Sequence, residues 1–209
     1  MIILITGAAG PTGQAVTEYF EQRGDTVIGV DKDDVDLLDR EAVQALANRI
    51  AAEHGRVDGV VHLVGGWRGS KTFADTDLGH WDDLHDLLIR TLQHVSLAFE
   101  PLLRASDNGR FVIVSAKAAE KPTAGGAAYA AAKAATEAWT MSLADALKET
   151  DSAATIIVVK ALVNDAMRAA KPEAKFAGFT DVRDLAEAIG GLYERPAASV
   201  NGTRLDLSA

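Results

Sequence analysis

Tyr129 and Lys133 stand four residues apart in an alanine-rich run, Tyr129-Ala-Ala-Ala-Lys133. On a helix that spacing stacks the two side chains on one face, so a phenol and an ammonium reach the same ligand. A free phenol titrates near ~10 and is a poor acid or base at neutral pH unless neighbours stabilise its anion. An ammonium one turn on does this, and a positively charged ring bound alongside would add to it. The pair therefore suits proton donation to a carbonyl or imine that is receiving hydride, with Lys133 also placed to hydrogen-bond a ribose. Taken alone, the same two residues equally describe a surface pair on an alanine helix. Their meaning comes from the rest of the chain.

That chain opens on an apolar strand, Ile2 to Ile5, which runs straight into Thr6-Gly7-Ala8-Ala9-Gly10-Pro11-Thr12-Gly13. Between a strand and a helix, Gly7, Gly10 and Gly13 let the backbone turn tightly, approach a pyrophosphate and pack helix on strand. Pro11 fits the first turn of that helix, and the helix N-terminus favours an anion. Ala9, Pro11 and Thr12 thus join the three glycines as candidate cofactor-binding residues. Asp31 ends the next strand, where a carboxylate accepts hydrogen bonds from ribose hydroxyls and repels a 2′-phosphate. The expected cofactor is NAD(H), preferred over NADP(H). Asp36 and Leu37 are candidates for the adenine wall, while Val64, Gly65 and Gly66 follow the next strand into the same cleft.

Stretches rich in Ile and Val recur at Ile2 to Ile5, Thr26 to Val30, Gly59 to Val64, Arg110 to Ser115, Thr155 to Lys160 and Thr203 to Leu207. Helical patterns fall near 12–23, 40–54, 81–105, 127–149 and 181–193. This alternation predicts a three-layer α/β domain over 1–209, a parallel sheet with helices on both faces. One crossover is short. Only Lys32 to Asp39 separate the second strand from the next helix, too few for a full crossover with its own helix. Along 81–105, Trp81, Leu84, Leu88, Leu92, Val95, Phe99 and Leu102 form one apolar stripe expected to face the sheet. The helix bearing Tyr129 is small-residued enough to pack closely on a second copy, so a homodimer or homotetramer is expected.

A formal net charge of −9, with no block of Lys and Arg, argues against nucleic acid or an anionic membrane as partner. A small soluble substrate fits better. There is no cysteine for a disulfide or thiolate zinc site, and the histidines have no metal-ligand spacing, so no metal is expected. The opening residues carry neither a charged leader nor a spanning apolar run, and cytoplasmic residence is the expectation. His62, within an apolar strand, reads as a core histidine.

In order, Thr6-Gly7…Gly13, Asp31, Val57-Asp58-Gly59-Val60-Val61-His62-Leu63-Val64-Gly65-Gly66, Trp81, Ser115 and Tyr129-xxx-Lys133 resemble the short-chain dehydrogenase/reductase family over nearly the whole chain. The resemblance implies a doubly wound Rossmann domain with Tyr129 as catalytic acid/base and Lys133 as its partner. The family's serine, thirteen residues before the tyrosine, is Ala116 here. Ser115 is one residue earlier and faces the other side of the strand unless the backbone bulges there to let it serve as a replacement. The helix asparagine seven residues beyond Trp81 is Leu88, and Lys160-Ala161 stands for the usual Pro-Gly.

Gly65-Gly66-Trp67-Arg68-Gly69, Ser115-Ala116-Lys117-Ala118-Ala119, Ser142-Leu143-Ala144 and the shortened crossover are similar to the dihydropteridine reductase group of that family. This resemblance implies reduction of a quinonoid dihydropterin by NADH without the serine, with Trp67 lining the pocket. Ala116 and Lys117 are further substrate-side candidates, although Lys117 could as well face solvent. Met167, Phe176 and Phe179 lie where the family carries a lid. The alternative reading is a catalytically silent dinucleotide-binding sensor or interaction protein, prompted by the missing serine and asparagine.

Overall fold

In a computed structural model describing residues 1–208, the apolar runs form β1 (Ile2–Thr6), β2 (Thr26–Val30), β3 (Gly59–His62), β4 (Arg110–Ala116), β5 (Ala153–Val159), β6 (Leu162–Val163), β7 (Thr180–Asp181) and β8 (Arg204–Asp206). Six of these make a sheet of order β2-β1-β3-β4-β5-β8, parallel throughout. The helices are α1 (Pro11–Gln22), α2 (Arg40–His54), α3 (Leu78–Leu84), α4 (Thr91–Arg104), α5 (Ala127–Leu147), α6 (Asp165–Ala170), α7 (Val182–Gly191) and α8 (Ala197–Val200).

Period-two alternation splits the apolar strands between two cores. Ile3 and Ile5 pack with Val16 and Phe20 of α1 and with Leu185 and Ile189 of α7. Leu4, Phe111 and Ile113 point the other way, against Val43 and Ile50 of α2, Val95 and Phe99 of α4, and Leu147 of α5. Helices therefore cover both faces, giving the expected three-layer, Rossmann-like architecture.

The short crossover is present as read from chain length. Residues 32–39 hold turns and no strand, and α2 begins at once with the Asp39 carboxylate accepting from Glu41 N at 2.9 Å and Ala42 N at 3.2 Å. Elsewhere the boundaries move. The predicted helix 81–105 starts earlier, at Leu78, because Asp77 caps it by accepting from Gly79 N at 2.8 Å. It is also interrupted by one π-helical turn, His85–Arg90. The third strand stops at His62 rather than Val64, which frees Leu63 to Gly66 to line the cleft. A two-stranded β6–β7 ribbon with α6 fills the region expected to act as a lid.

Candidate active site

The glycine loop wraps the carboxyl end of β1. Gly7 adopts a left-handed φ of 78°, open to glycine at little cost. Any Cβ on Gly13 would run into the Gly7 carbonyl and Ala8, so glycine is what lets α1 start this close to the strand. With Pro11 at the head of α1, the first-turn amides of Thr12 and Gly13 have no intrahelical acceptor and face the cleft with Gly10. These features fit a pyrophosphate. Ala9 is the exception in the loop: its amide donates to Asp31 Oδ2 at 2.9 Å, and it lies outside the main cleft.

Asp31 sits at the end of β2. Its carboxylate also accepts from Lys32 N at 2.9 Å, and these two backbone donors, Lys32 first, hold its pKa below the ordinary carboxylate value. Asp31, Asp36, Leu37 and Val64 line one cavity of about 620 Å³ together with Lys32 and Arg68. The Leu37 carbonyl accepts from His94 Nδ1 of α4 at 2.9 Å, anchoring that wall across 57 residues.

This cavity shares Gly7, Gly10 and the Leu63–Gly65 backbone with a second, of about 480 Å³, which reaches Tyr129, Lys133 and Trp67. Lys133 is buried, and its Nζ donates to Val114 O at 2.7 Å. Burial pulls its pKa down to about 8, opposed by the Glu137 carboxylate one turn along α5. Lys133 Nζ lies 6.0 Å from the centre of the Tyr129 ring. Burial pushes the Tyr129 phenol up, not down, so the phenol keeps its proton at neutral pH.

Regular pairing of β4 with β5 through Ala116 leaves no bulge, and Ser115 nevertheless lines the cleft with Tyr129 and Lys133. Its hydroxyl donates to Glu137 Oε1 at 2.5 Å, and Glu137 also takes Arg204 Nε at 2.9 Å. The Ser115 hydroxyl is thus committed to α5, and Ala116, which lines the cavity beside Tyr129, has no hydroxyl to offer. Leu88 is buried with Leu84 and Ile89 against Ala132.

His62 is buried and held neutral, its pKa drawn down to about 3 chiefly by desolvation, then by Lys133. Its neighbours define its tautomer. Thr91 Oγ1 donates to Leu87 O in the π-turn at 2.7 Å, so at 3.3 Å it accepts from His62 Nε2, and Nδ1 accepts from Thr6 Oγ1 at 2.8 Å. One chain of donors thereby ties the end of β1 through β3 to the π-turn. Sequence reasoning placed His62 in the core but had no signal for this link.

Beyond Tyr129 a cavity of about 450 Å³ is lined by Trp67, Ser70, Ala116 and Lys160. Trp67 is 63 % exposed and lines this cavity, its ring so close to Gly69 that a Cβ there would run into it. Lys117 is not there. Its Nζ donates to Asp206 Oδ2 of β8 at 2.6 Å, which corrects its expected place beside the substrate. The cation at this wall is Lys160, which the sequence showed only as a departure from the usual Pro-Gly. Met167, Phe176 and Phe179 line none of this cavity; Phe176 and Phe179 stack edge-on at 5.6 Å.

The profile of the short chain dehydrogenase family matches residues 33–175. The chain belongs to the short-chain dehydrogenase family. Within that family it is 30 % identical to the uncharacterized oxidoreductase YciK of Escherichia coli K12 over 69 % of this chain and 67 % of that one. It is 27 % identical to the benzil reductase ((S)-benzoin forming) of Saccharomyces cerevisiae, covering 80 % and 73 %. A short-chain dehydrogenase of Escherichia coli CFT073, solved with NADPH, superposes with a TM-score of 0.84 at 26 % identity, over 100 % of this chain and 96 % of that chain. Membership makes the chain a short-chain oxidoreductase.

Proposed function

We propose that this short-chain oxidoreductase reduces a small, flat carbonyl, imine or quinonoid acceptor, with Tyr129 donating the proton. The observation that carries this reading is the meeting of Tyr129 and the buried Lys133 with the glycine loop in one continuous cleft. A reduced pyridine dinucleotide, when bound, supplies hydride. Gly7, Gly10, Thr12 and Gly13 would hold its phosphates, and Lys133 its nicotinamide ribose. A phenol kept protonated by burial is poised to give a proton rather than take one, which supports the reductive direction. The exposed Trp67 face suits a conjugated ring, and a quinonoid dihydropterin is one acceptor of this class, its delocalisation reducing the need for a positioning serine.

The expected preference for NAD(H) rests on Asp31 alone. The related structure from Escherichia coli CFT073 holds NADPH, and in this chain Lys32 lines the same cavity as a cation that suits a 2′-phosphate, while Arg68 there pairs with Asp83 at 3.5 Å. We therefore infer use of NAD(P)(H), with Asp31 as the residue that disfavours the phosphorylated form. Asp31→Asn should improve kcat/KM for NADPH about tenfold relative to NADH, the scale of one charged contact. An unchanged ratio removes that role. Exposed Leu97 on α4 and Met141 on α5 support self-association through these helices; a monomer by sedimentation would contradict it.

The direct test of the reaction is a screen of NADH and NADPH oxidation with quinonoid dihydropterin, simple quinones, ketones and aldehydes. Turnover with a conjugated acceptor supports the reading. Dinucleotide binding without turnover of any acceptor favours the silent sensor instead.

A further inference from the structure

We propose that Lys160 makes the acceptor cavity an anion-recognising site, so that the acceptor is a small conjugated molecule carrying a carboxylate; this rests on the reductase reading above. Among the described residues, Lys160 is the one charged side chain lining the cavity that joins Trp67 to Tyr129. No acidic residue among those described lines it, in a chain whose net charge is −9. A cavity of that sign inside an acidic protein concentrates anions that the rest of the surface repels.

Lys160 also has bonding capacity left over. Its Nζ donates to Ala177 O at 3.0 Å, one of three possible N–H bonds, and no Asp or Glu among the described residues lies within ion-pair distance. Lys117, at the end of the neighbouring strand, differs: Asp206 and Glu120 take it up at 2.6 and 3.9 Å. Of the two lysines at the carboxyl ends of β4 and β5, only the one beside Tyr129 has no carboxylate partner among the described residues.

The arrangement divides the acceptor's recognition in three. Its plane meets the Trp67 indole, its carboxylate meets Lys160, and its carbonyl oxygen meets the Tyr129 hydroxyl. In the reaction the dinucleotide is oxidised and its hydride forms the new C–H bond at the carbonyl carbon. The C–O π pair moves to oxygen, which takes the Tyr129 proton.

Phenylglyoxylate and its methyl ester, differing in one charge, are the probes. Their reduction by the native protein, Lys160→Met and Lys160→Arg is followed as NADH and NADPH oxidation, and phenylglyoxylate binding is read in parallel from tryptophan quenching. The native protein should prefer the acid by about tenfold or more in kcat/KM, the scale of one charge-assisted hydrogen bond. Lys160→Met should lose that preference, mainly through KM, and Lys160→Arg should keep most of it. Equal handling of acid and ester by the native protein, or a preference that survives in Lys160→Met, overturns the proposal. Lys160-dependent binding of the acid without turnover supports the anion site and counts against the reductase reading. The absence of both turnover and Lys160-dependent binding overturns the anion site.

Discussion

At the amino-terminal end of the sheet, Arg110 is 1 % exposed and donates to four backbone carbonyls: Leu192 at 3.0 Å, Gly109 at 2.7 Å, Asp151 at 3.1 Å and Arg195 at 2.7 Å. Beside it, Asp58 accepts from Ile2 N, Arg56 Nε and Ser106 Oγ, all within 2.8 Å. At the opposite end Lys133 has one carbonyl for a partner, Lys160 has one, and the amides opening α1 have none inside the helix. The same strands thus end on one side in a polar network that is closed around Arg110 and Asp58, with the Tyr193 hydroxyl beside it left over, and in spare donors on the other. Buried polar groups with partners fix a fold; polar groups with unused capacity, in a cleft, mark where a ligand completes them.

The contrast predicts stability effects of opposite sign. Arg110→Met should cost about 3–5 kcal/mol in urea unfolding, because four carbonyls lose a buried charged donor at once. A loss under about 1 kcal/mol would show that this end is not the structural one. Lys133→Met should instead stabilise the protein by about 1–3 kcal/mol at pH 7 while abolishing turnover. The sign follows from a folded pKa of about 8, below the ordinary 10.5. The unfolded chain binds more protons between those values, so this lysine's favourable term is complete only above 10.5 and is lost as pH falls through 8. At neutral pH the buried charge is a burden that methionine removes. A variant less stable than the native protein would contradict this.

His62 gives the smallest effect. With its pKa lowered from 6.5 to about 3, it supports stability above pH 6.5 and withdraws that support as pH falls toward 3. Between pH 6.5 and 5.5 the native protein should lose about 1 kcal/mol more than His62→Gln does. Parallel unfolding curves for the two proteins would leave His62 without this role.

What could be read from sequence was local. Gly7, Gly10 and Gly13 announce a strand-to-helix turn through their own backbone freedom, and eight residues after Asp31 are too few for a full crossover wherever they lie in space. β4 stays regular to Ala116, as period-two alternation assumes, yet Ser115 still lines the cleft, and what takes its hydroxyl up is Glu137 of α5, a distant partner. What could not be read depends on distant partners. Lys117 was judged from its place at a strand end, yet Asp206, 89 residues on, draws it aside. The π-turn at His85–Arg90 coincides with the Thr91 hydroxyl bonded to the Leu87 carbonyl, a geometry with no signature in the apolar stripe. The expected fall in the Tyr129 pKa assumed an ammonium at the hydroxyl; the fold instead buries the ring and ties Lys133 to Val114.

The claim on which the account depends is that the Tyr129 hydroxyl is the proton source. It is tested most directly by single-turnover oxidation of bound NADH or NADPH with a conjugated acceptor, comparing native protein with Tyr129→Phe and titrating dinucleotide binding in both. The account predicts a rate about a hundredfold or more lower in the variant with dinucleotide affinity unchanged. Equal rates in the two proteins would contradict it.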